Sequence, residues 1–175
     1  MRQVVELFAG AGGAALGLRA AGFNSAGSYE CNPDAVATLK AAGLPGIQAD
    51  VRKVDWSKHR EVALMWASPP CQAFSITGKR LGASDERNGW PWTIDAVDSA
   101  KPGWFIGENV PGLLMHSAEH CGNLERCPGC YWLRVVVPAF KSRFAWVDVW
   151  VLNAANYGVP QTRRRVFLVA GPRAV

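Results

Sequence analysis

An apolar run, a cluster of glycines and a helical stretch follow one another in the first two dozen residues, and this succession restricts the fold more than any other feature. Val4 to Phe8 reads as a strand, Gly10 to Gly13 as a turn, and Ala14 to Ala21 as a helix stopped by Gly22. Glycines at such a junction admit positive φ angles and let a ligand approach the backbone, and the N-terminus of the following helix favours negative charge. A second strand over Asn24 to Tyr29 ends at Glu30, an acid placed to bind a ribose diol. The spacing is not Gly-x-Gly-x-x-Gly, so a nucleoside cofactor such as S-adenosylmethionine fits better than a dinucleotide. The same turn also occurs where it only packs helix on strand, and Glu30 taken alone reads equally well as a solvated strand end.

The alternation continues. Pro33 opens a helix over Asp34 to Ala42, a weak third strand leads to Asp50, and Glu61 to Ala67 forms a fourth strand. A polar stretch from Ser75 to Asn88 reads as a mobile loop. A helix over Pro91 to Ala100, a strand over Trp104 to Gly107 and a helix over Trp132 to Phe140 follow. Two last strands, Trp146 to Leu152 and Arg165 to Ala170, have no helix between them. This pattern predicts an α/β fold with a mostly parallel sheet and an antiparallel edge strand. The 175 residues, 49% hydrophobic, suffice for one domain with a core.

No apolar run reaches the roughly 18 residues of a membrane span, and the opening strand leaves no room for a signal peptide. Five unevenly placed cysteines argue against a disulfide framework and for a reducing cytoplasm. The excess of 19 Lys+Arg over 14 Asp+Glu suits a polyanionic partner without requiring one.

Four further segments carry chemistry. Ser68-Pro69-Pro70-Cys71-Gln72 leaves the fourth strand at its carboxyl end, where open α/β sheets bind ligands, and two prolines stiffen the backbone that presents the thiol. Lys79, Arg80 and the late arginines supply positive charge that would favour the thiolate; the competing reading is a buried structural cysteine. Gly107-Glu108-Asn109 ends the fifth strand with a carboxyl that is able to hydrogen-bond or protonate a ring nitrogen. Gln161-Thr162-Arg163-Arg164-Arg165 alternates so that Arg163 and Arg165 share one face, either to grip an oxygen or as a plain basic patch. The insert from His116 to Cys130 spaces Cys121, Cys127 and Cys130 with His116 or His120 as a Cys3His zinc site would, against the alternative of free loop thiols.

The segments ELFAGAGG, SPPCQAFSITGKR, GENVPGL and NYGVPQTRRRVFLV, with Glu30 and Asp50 between the first two, resemble the DNA cytosine-5 methyltransferase family in order and in kind, from Glu6 to Ala170. The resemblance implies a Rossmann-like class I S-adenosylmethionine-dependent methyltransferase fold. Phe8, Ala9, Gly10, Gly12, Gly13, Glu30, Asp50, Val51 and Pro70 would then form the cofactor pocket, with Phe8 against adenine, Glu30 on the ribose and Asp50 on the adenine amine. Cys71 would add to carbon 6 of cytosine, Glu108 would bond N3 and the exocyclic amine, and Arg163 and Arg165 would hold the cytosine oxygen. Gln72, Ser75, Lys79, Arg80 and Asn109 would meet the substrate or support the loop around Cys71, with Ser75 to Asn88 as the catalytic loop that closes over double-stranded DNA.

Members of the family also carry a target-recognition domain and a final cofactor-pocket segment after the last strand. Neither is recognisable here, so residues 1–175 read as the catalytic domain alone, with the insert 116–130 as an added zinc-binding feature. A second polypeptide carrying the recognition domain is the expected partner. A remnant subunit that kept the fold and an enzyme acting on tRNA cytosine are the alternatives. Family habit implies restriction–modification or phage protection, in a bacterial or phage-encoded, nucleoid-associated setting.

Overall fold

A computed structural model describes residues 2–70, 72 and 85–172. They form a seven-stranded sheet in the spatial order β3 (Gly46–Gln48), β2 (Asn24–Glu30), β1 (Gln3–Leu7), β4 (Leu64–Ala67), β5 (Trp104–Asn109), β7 (Arg164–Ala170) and β6 (Val147–Asn153), mostly parallel with one antiparallel edge. The chain divides into two compact units, residues 1–68 with 92–106, and residues 69–91 with 107–175.

In the first unit, β1 (Gln3–Leu7), α1 (Gly13–Ala20), β2 (Asn24–Glu30), α2 (Pro33–Ala41) and β3 (Gly46–Gln48) follow the sequence expectation to within a residue or two at most ends. The reasons are local. Asn32 caps α2 by accepting hydrogen bonds from the N–H groups of Asp34 and Ala35, with Pro33 at the first helical position. Val4, Val5 and Leu7 of β1 are buried, and Leu18 of α1 packs on Val4 and Leu64. β4 (Leu64–Ala67) lies beside β1, pairing Leu7 with Ala67, and the Ser68 N–H bonds to the Leu7 carbonyl at 3.2 Å. Because the chain runs outward from β1 to β3 and then returns to β4, the β1/β4 ends form the switch point where such sheets open a crevice.

The fourth strand starts three residues later than the sequence suggested. Glu61 takes a left-handed φ of 60° and gives its N–H to the Ala100 carbonyl, so residues 61–63 make the connection that receives α3 (Trp90–Ala100) rather than a strand.

In the second unit, the carboxyl half of β5 (Trp104–Asn109) is followed by a 3-10 turn, Pro111–Leu114. The helix expected at Trp132 begins earlier: α4 (Pro128–Tyr131) runs through a π-turn, Trp132–Val136, into α5 (Val137–Lys141). Pro138 explains the widened turn, since it has no N–H to donate and its ring crowds the preceding turn. Trp132 and Phe140 pack edge-on against Trp90, and all three are buried. β6 (Val147–Asn153) and β7 (Arg164–Ala170) pair antiparallel, as expected, with Val147 opposite Ala170 and Asn153 opposite Arg164. β6 ends the sheet, and its Asp148 accepts the Trp150 indole N–H at 2.8 Å.

Candidate functional site

The glycine turn of the first unit is held from both sides. The Ala9 N–H bonds to the Tyr29 carbonyl at 3.0 Å, and the Gly10 N–H bonds to Glu30 Oε2 at 2.9 Å. The other oxygen of Glu30 accepts the Asn32 N–H at 2.9 Å, so this carboxylate at the end of β2 fixes the turn that faces it. Phe8 adopts φ 55°, a left-handed conformation that costs a non-glycine residue about 1–3 kcal/mol and that clusters at ligand sites. Gly10 (φ +54°) and Gly13 have nothing within 4 Å of where a Cβ would stand, which leaves open space over the N-terminus of α1. Gly12 differs: a Cβ there would lie 2.7 Å from Leu39 and 2.8 Å from Leu44, so its role is close packing of turn on core.

Asp50 caps the short turn Val51–Lys53 and receives the Arg52 Nε–H at 2.9 Å. The Arg52 hydrogen bonds hold its carboxyl at about 2, well below the usual range. The Arg52 guanidinium also lies 5.0 Å over the Trp92 ring. Val51 is buried, and its carbonyl accepts the Trp56 indole N–H at 3.0 Å. Tyr29, Trp56 and His59 form an aromatic cluster in which the Tyr29 hydroxyl and His59 Nε2 are 2.7 Å apart. The sequence marked Tyr29 only as a strand residue and did not reveal this cluster.

Glu6 is the other residue that the sequence left unremarked. It is 2% exposed on β1 and lines a cavity of about 200 Å³ with Val4, Leu18 and Phe23. Its Oε2 has no hydrogen-bond partner among the described residues. Burial pushes its pKa up to about 7, with the Ser28 hydroxyl opposing the shift.

The second unit gathers the groups expected to act on a base. Arg165 on β7 places Nε 2.9 Å from Glu108 Oε1 on β5, and both side chains are half-buried. Asn109 is buried and donates its side-chain N–H to the Pro69 carbonyl at 3.1 Å, while its own oxygen accepts the Val110 N–H at 2.9 Å. That bond ties the end of β5 to the proline pair two residues before Cys71. Arg163 is exposed, and its backbone N–H is held by Asn153 Oδ1 at 3.0 Å, which anchors the arginine segment to the end of β6. Asn153 carried no sequence signal, because an Asn between strands reads as an ordinary turn residue.

Pro70 is partly buried and Gln72 exposed. Cys71, Ser75, Lys79 and Arg80 lie outside the described residues, as does most of the expected loop. Its far end is pinned: Asp85 accepts the Arg87 Nε–H at 2.8 Å, and Asn88 reaches the Tyr131 hydroxyl at 3.0 Å. In the insert, His116, Cys121, Cys127 and Cys130 bring one ligand atom each to within 4.8 Å of one another.

We expect Asn109→Ala to lower the stability of the chain by about 1–3 kcal/mol, because the Pro69 carbonyl loses its buried donor. Thermal melting and urea denaturation check this; an unchanged midpoint would show that the bond contributes nothing to the fold.

A profile of the family described as C-5 cytosine-specific DNA methylase matches residues 2–173. The chain belongs to that family. It is 37% identical to the type II methyltransferase M.AplI of Arthrospira platensis over 95% of its own length and 45% of the relative's. It is 37% identical to M.NaeI of Lentzea aerocolonigenes, over 96% and 39%. With M.AquIA of Picosynechococcus the identity is 33%, over 96% and 71%. The chain thus spans less than half the length of the first two relatives. Among solved structures, a DNMT2 mutant from Spodoptera frugiperda superposes with a TM-score of 0.70 at 22% identity, covering 98% of this chain and 50% of that one. The S. pombe Dnmt2 methyltransferase gives 0.68 at 18%, covering 100% and 52%. At these identities the likeness bears on the fold, which is that of the methyltransferases. Among the described residues, no helix is long and apolar enough to cross a membrane.

Proposed function

We propose that this chain transfers a methyl group from S-adenosylmethionine to carbon 5 of cytosine in DNA, acting on a flipped-out base through a covalent adduct with Cys71. The observation that carries the reading is the Glu108–Arg165 pair at 2.9 Å, beside an Asn109 that holds the Pro69 carbonyl.

The open space over Gly10 and Gly13, the strained Phe8 and the Glu30 carboxylate fit the cofactor. Phe8 would stack on its adenine, Glu30 would accept from the ribose hydroxyls, and the acidic Asp50 would accept from the adenine amine. Ala9, Gly12, Gly13, Val51 and Pro70 complete that pocket. When bound, the cofactor supplies an electrophilic methyl group.

The chain's own residues make the base able to accept it. Carbon 5 of cytosine is a poor nucleophile. The Cys71 thiolate forms a bond to carbon 6 while Glu108 gives a proton to N3, and the electron pair of the 5,6 double bond becomes available at carbon 5. After methylation at carbon 5, loss of that carbon's proton to water re-forms the double bond and expels the thiolate, and N3 returns its proton. Arg165 acts as a positioning residue that orients Glu108, and Arg163 is left to meet the cytosine oxygen. Duplex DNA hides the base, so flipping must precede addition. Gln72, Ser75, Lys79 and Arg80 are assigned to the DNA side of this step.

We further propose that a second polypeptide supplies target recognition to this catalytic domain. The experiment is methyl transfer from labelled S-adenosylmethionine to unmethylated duplex DNA and, separately, to tRNA, followed by hydrolysis and identification of the labelled base. 5-Methylcytosine in DNA is the expected product, from the chain alone or once the recognition half is added. Label in N4-methylcytosine or N6-methyladenine, label only in tRNA, or none under either condition would overturn the reading.

A further inference from the structure

We propose that His116, Cys121, Cys127 and Cys130 bind one zinc ion in a closed tetrahedral Cys3His site, and that this ion fastens the segment leaving β5 to the start of α4. The inference is independent of the methyl-transfer chemistry.

Four of the six distances among these atoms lie close to those that a tetrahedral ion would impose, and all are within 4.8 Å. Zinc lies about 2.3 Å from thiolate sulfur and about 2.0–2.1 Å from imidazole nitrogen, which sets tetrahedral edges of about 3.8 Å between sulfurs and about 3.6 Å between sulfur and nitrogen. Cys121 Sγ and Cys130 Sγ are 3.9 Å apart. His116 Nδ1 lies 3.9 Å from Cys121 Sγ, 3.7 Å from Cys127 Sγ and 3.4 Å from Cys130 Sγ. Near-equal spacing of a nitrogen from three sulfurs suits a central ion. A disulfide would draw two sulfurs together to about 2.05 Å and leave the others aside.

The surroundings fit bound thiolates. The Ser117 N–H points at Cys127 Sγ at 3.3 Å, and the Gly122 N–H at Cys130 Sγ at 3.2 Å, so backbone donors face the two buried sulfurs. Gly122 has φ 97°, a left-handed bend directly after Cys121. A Cβ on Gly129 would stand 2.9 Å from His116 Cδ2 and 2.9 Å from the Leu114 carbonyl, so the Cys-Pro-Gly-Cys turn needs glycine for the imidazole to reach its place. The choice left open by the sequence is thereby made: His116 contributes Nδ1, while His120 directs Nε2 toward Glu119 at 3.8 Å.

All four positions are filled by protein, as in zinc sites that support structure. His116 lies just beyond the Pro111–Leu114 turn, and the Gly129 N–H bonds to the Met115 carbonyl at 3.0 Å. The ion would close the loop between these points, a stretch in which Glu119, Leu124 and Glu125 are exposed.

The test is elemental analysis of the untagged chain purified without chelator. About one equivalent of zinc is expected, retained in His120→Ala and reduced below about a tenth in Cys130→Ser and His116→Ala. Because removing a ligand can also unfold the segment, the unaltered chain is also stripped and refilled with cobalt(II). The intense ligand-field bands of tetrahedral cobalt, with thiolate charge transfer in the near ultraviolet, are the expected signature. Less than about a tenth of an equivalent with no such spectrum, or a Cys121–Cys130 disulfide in non-reduced peptide maps, would overturn the site. Loss of zinc in His120→Ala with retention in His116→Ala would overturn the assignment of the imidazole.

Discussion

Glu108→Gln is expected to lower the rate of methyl transfer by about 10²–10⁴, the range typical of a lost proton-transfer group, with little change in thermal stability. The replacement keeps the shape and still offers one donor and one acceptor to the cytosine edge. On the proposed mechanism it cannot deliver a proton to N3, and thiolate addition at carbon 6 would lose its driving force. It also breaks the 2.9 Å pair with Arg165. That pair is partly exposed and is worth only about 0–1 kcal/mol to the fold, so a folded and inactive variant is the expected combination. Single-turnover kinetics on duplex DNA with a melting curve measures both. A rate within a few-fold of the parent would show that Glu108 only shapes the pocket, and a collapsed melting curve would show that the pair holds the sheet together.

Glu6→Gln is expected to raise stability at pH 8 by on the order of 2–3 kcal/mol and to flatten its fall with pH. The sign follows from the pKa, which burial lifts from 4.5 to about 7 in the folded chain. The folded state therefore binds a proton that the unfolded chain has already released. Its contribution is fully present below pH 4.5 and is lost as the pH rises through 7, where the carboxylate must sit charged and largely removed from water. His59 works in the opposite sense, because burial lowers its pKa and charging it at low pH opposes folding. Urea denaturation of both proteins from pH 5 to pH 8.5 isolates Glu6 as the difference between two curves. Parallel curves would mean that the carboxylate is already satisfied in the folded protein.

What the sequence revealed and what it concealed follow from the range of the interactions. The glycine turn, the Asn32–Pro33 start of α2 and the antiparallel last strands were readable because each rests on neighbours in sequence. Glu30 was singled out for a ribose, and the structure shows it also gripping the Gly10 N–H twenty residues away. The late start of β4 was hidden, because nothing local forces Glu61 into a left-handed conformation; the contact with Ala100 does. The early start of the helix at Pro128 was obscured by cysteines that drew attention to metal spacing, and nothing in the sequence marked the π-turn that precedes Pro138. Asn109, Pro69, Glu108 and Arg165 were all named from the sequence, but the pairings of Asn109 with Pro69 and of Glu108 with Arg165 became evident only once the strands were side by side. Glu6 was read only as part of the first strand and of the ELFAGAGG segment, since one acid in an apolar run says nothing of which face it occupies.

The strand that closes the sheet has a further consequence. β6 carries Val147, Val149 and Val151 in alternation and pairs along one side with β7. An extended, β-branched edge of this kind is the sort of surface on which identical chains stack into fibres. Asp148 stands in the middle of it, its carboxylate steadied by the Val149 N–H at 2.8 Å and the Trp150 indole. Fixed negative charge at that position repels the same charge on an approaching copy. The small local hydrogen-bond pattern around Asp148 is therefore expected to guard the border of the sheet against self-assembly.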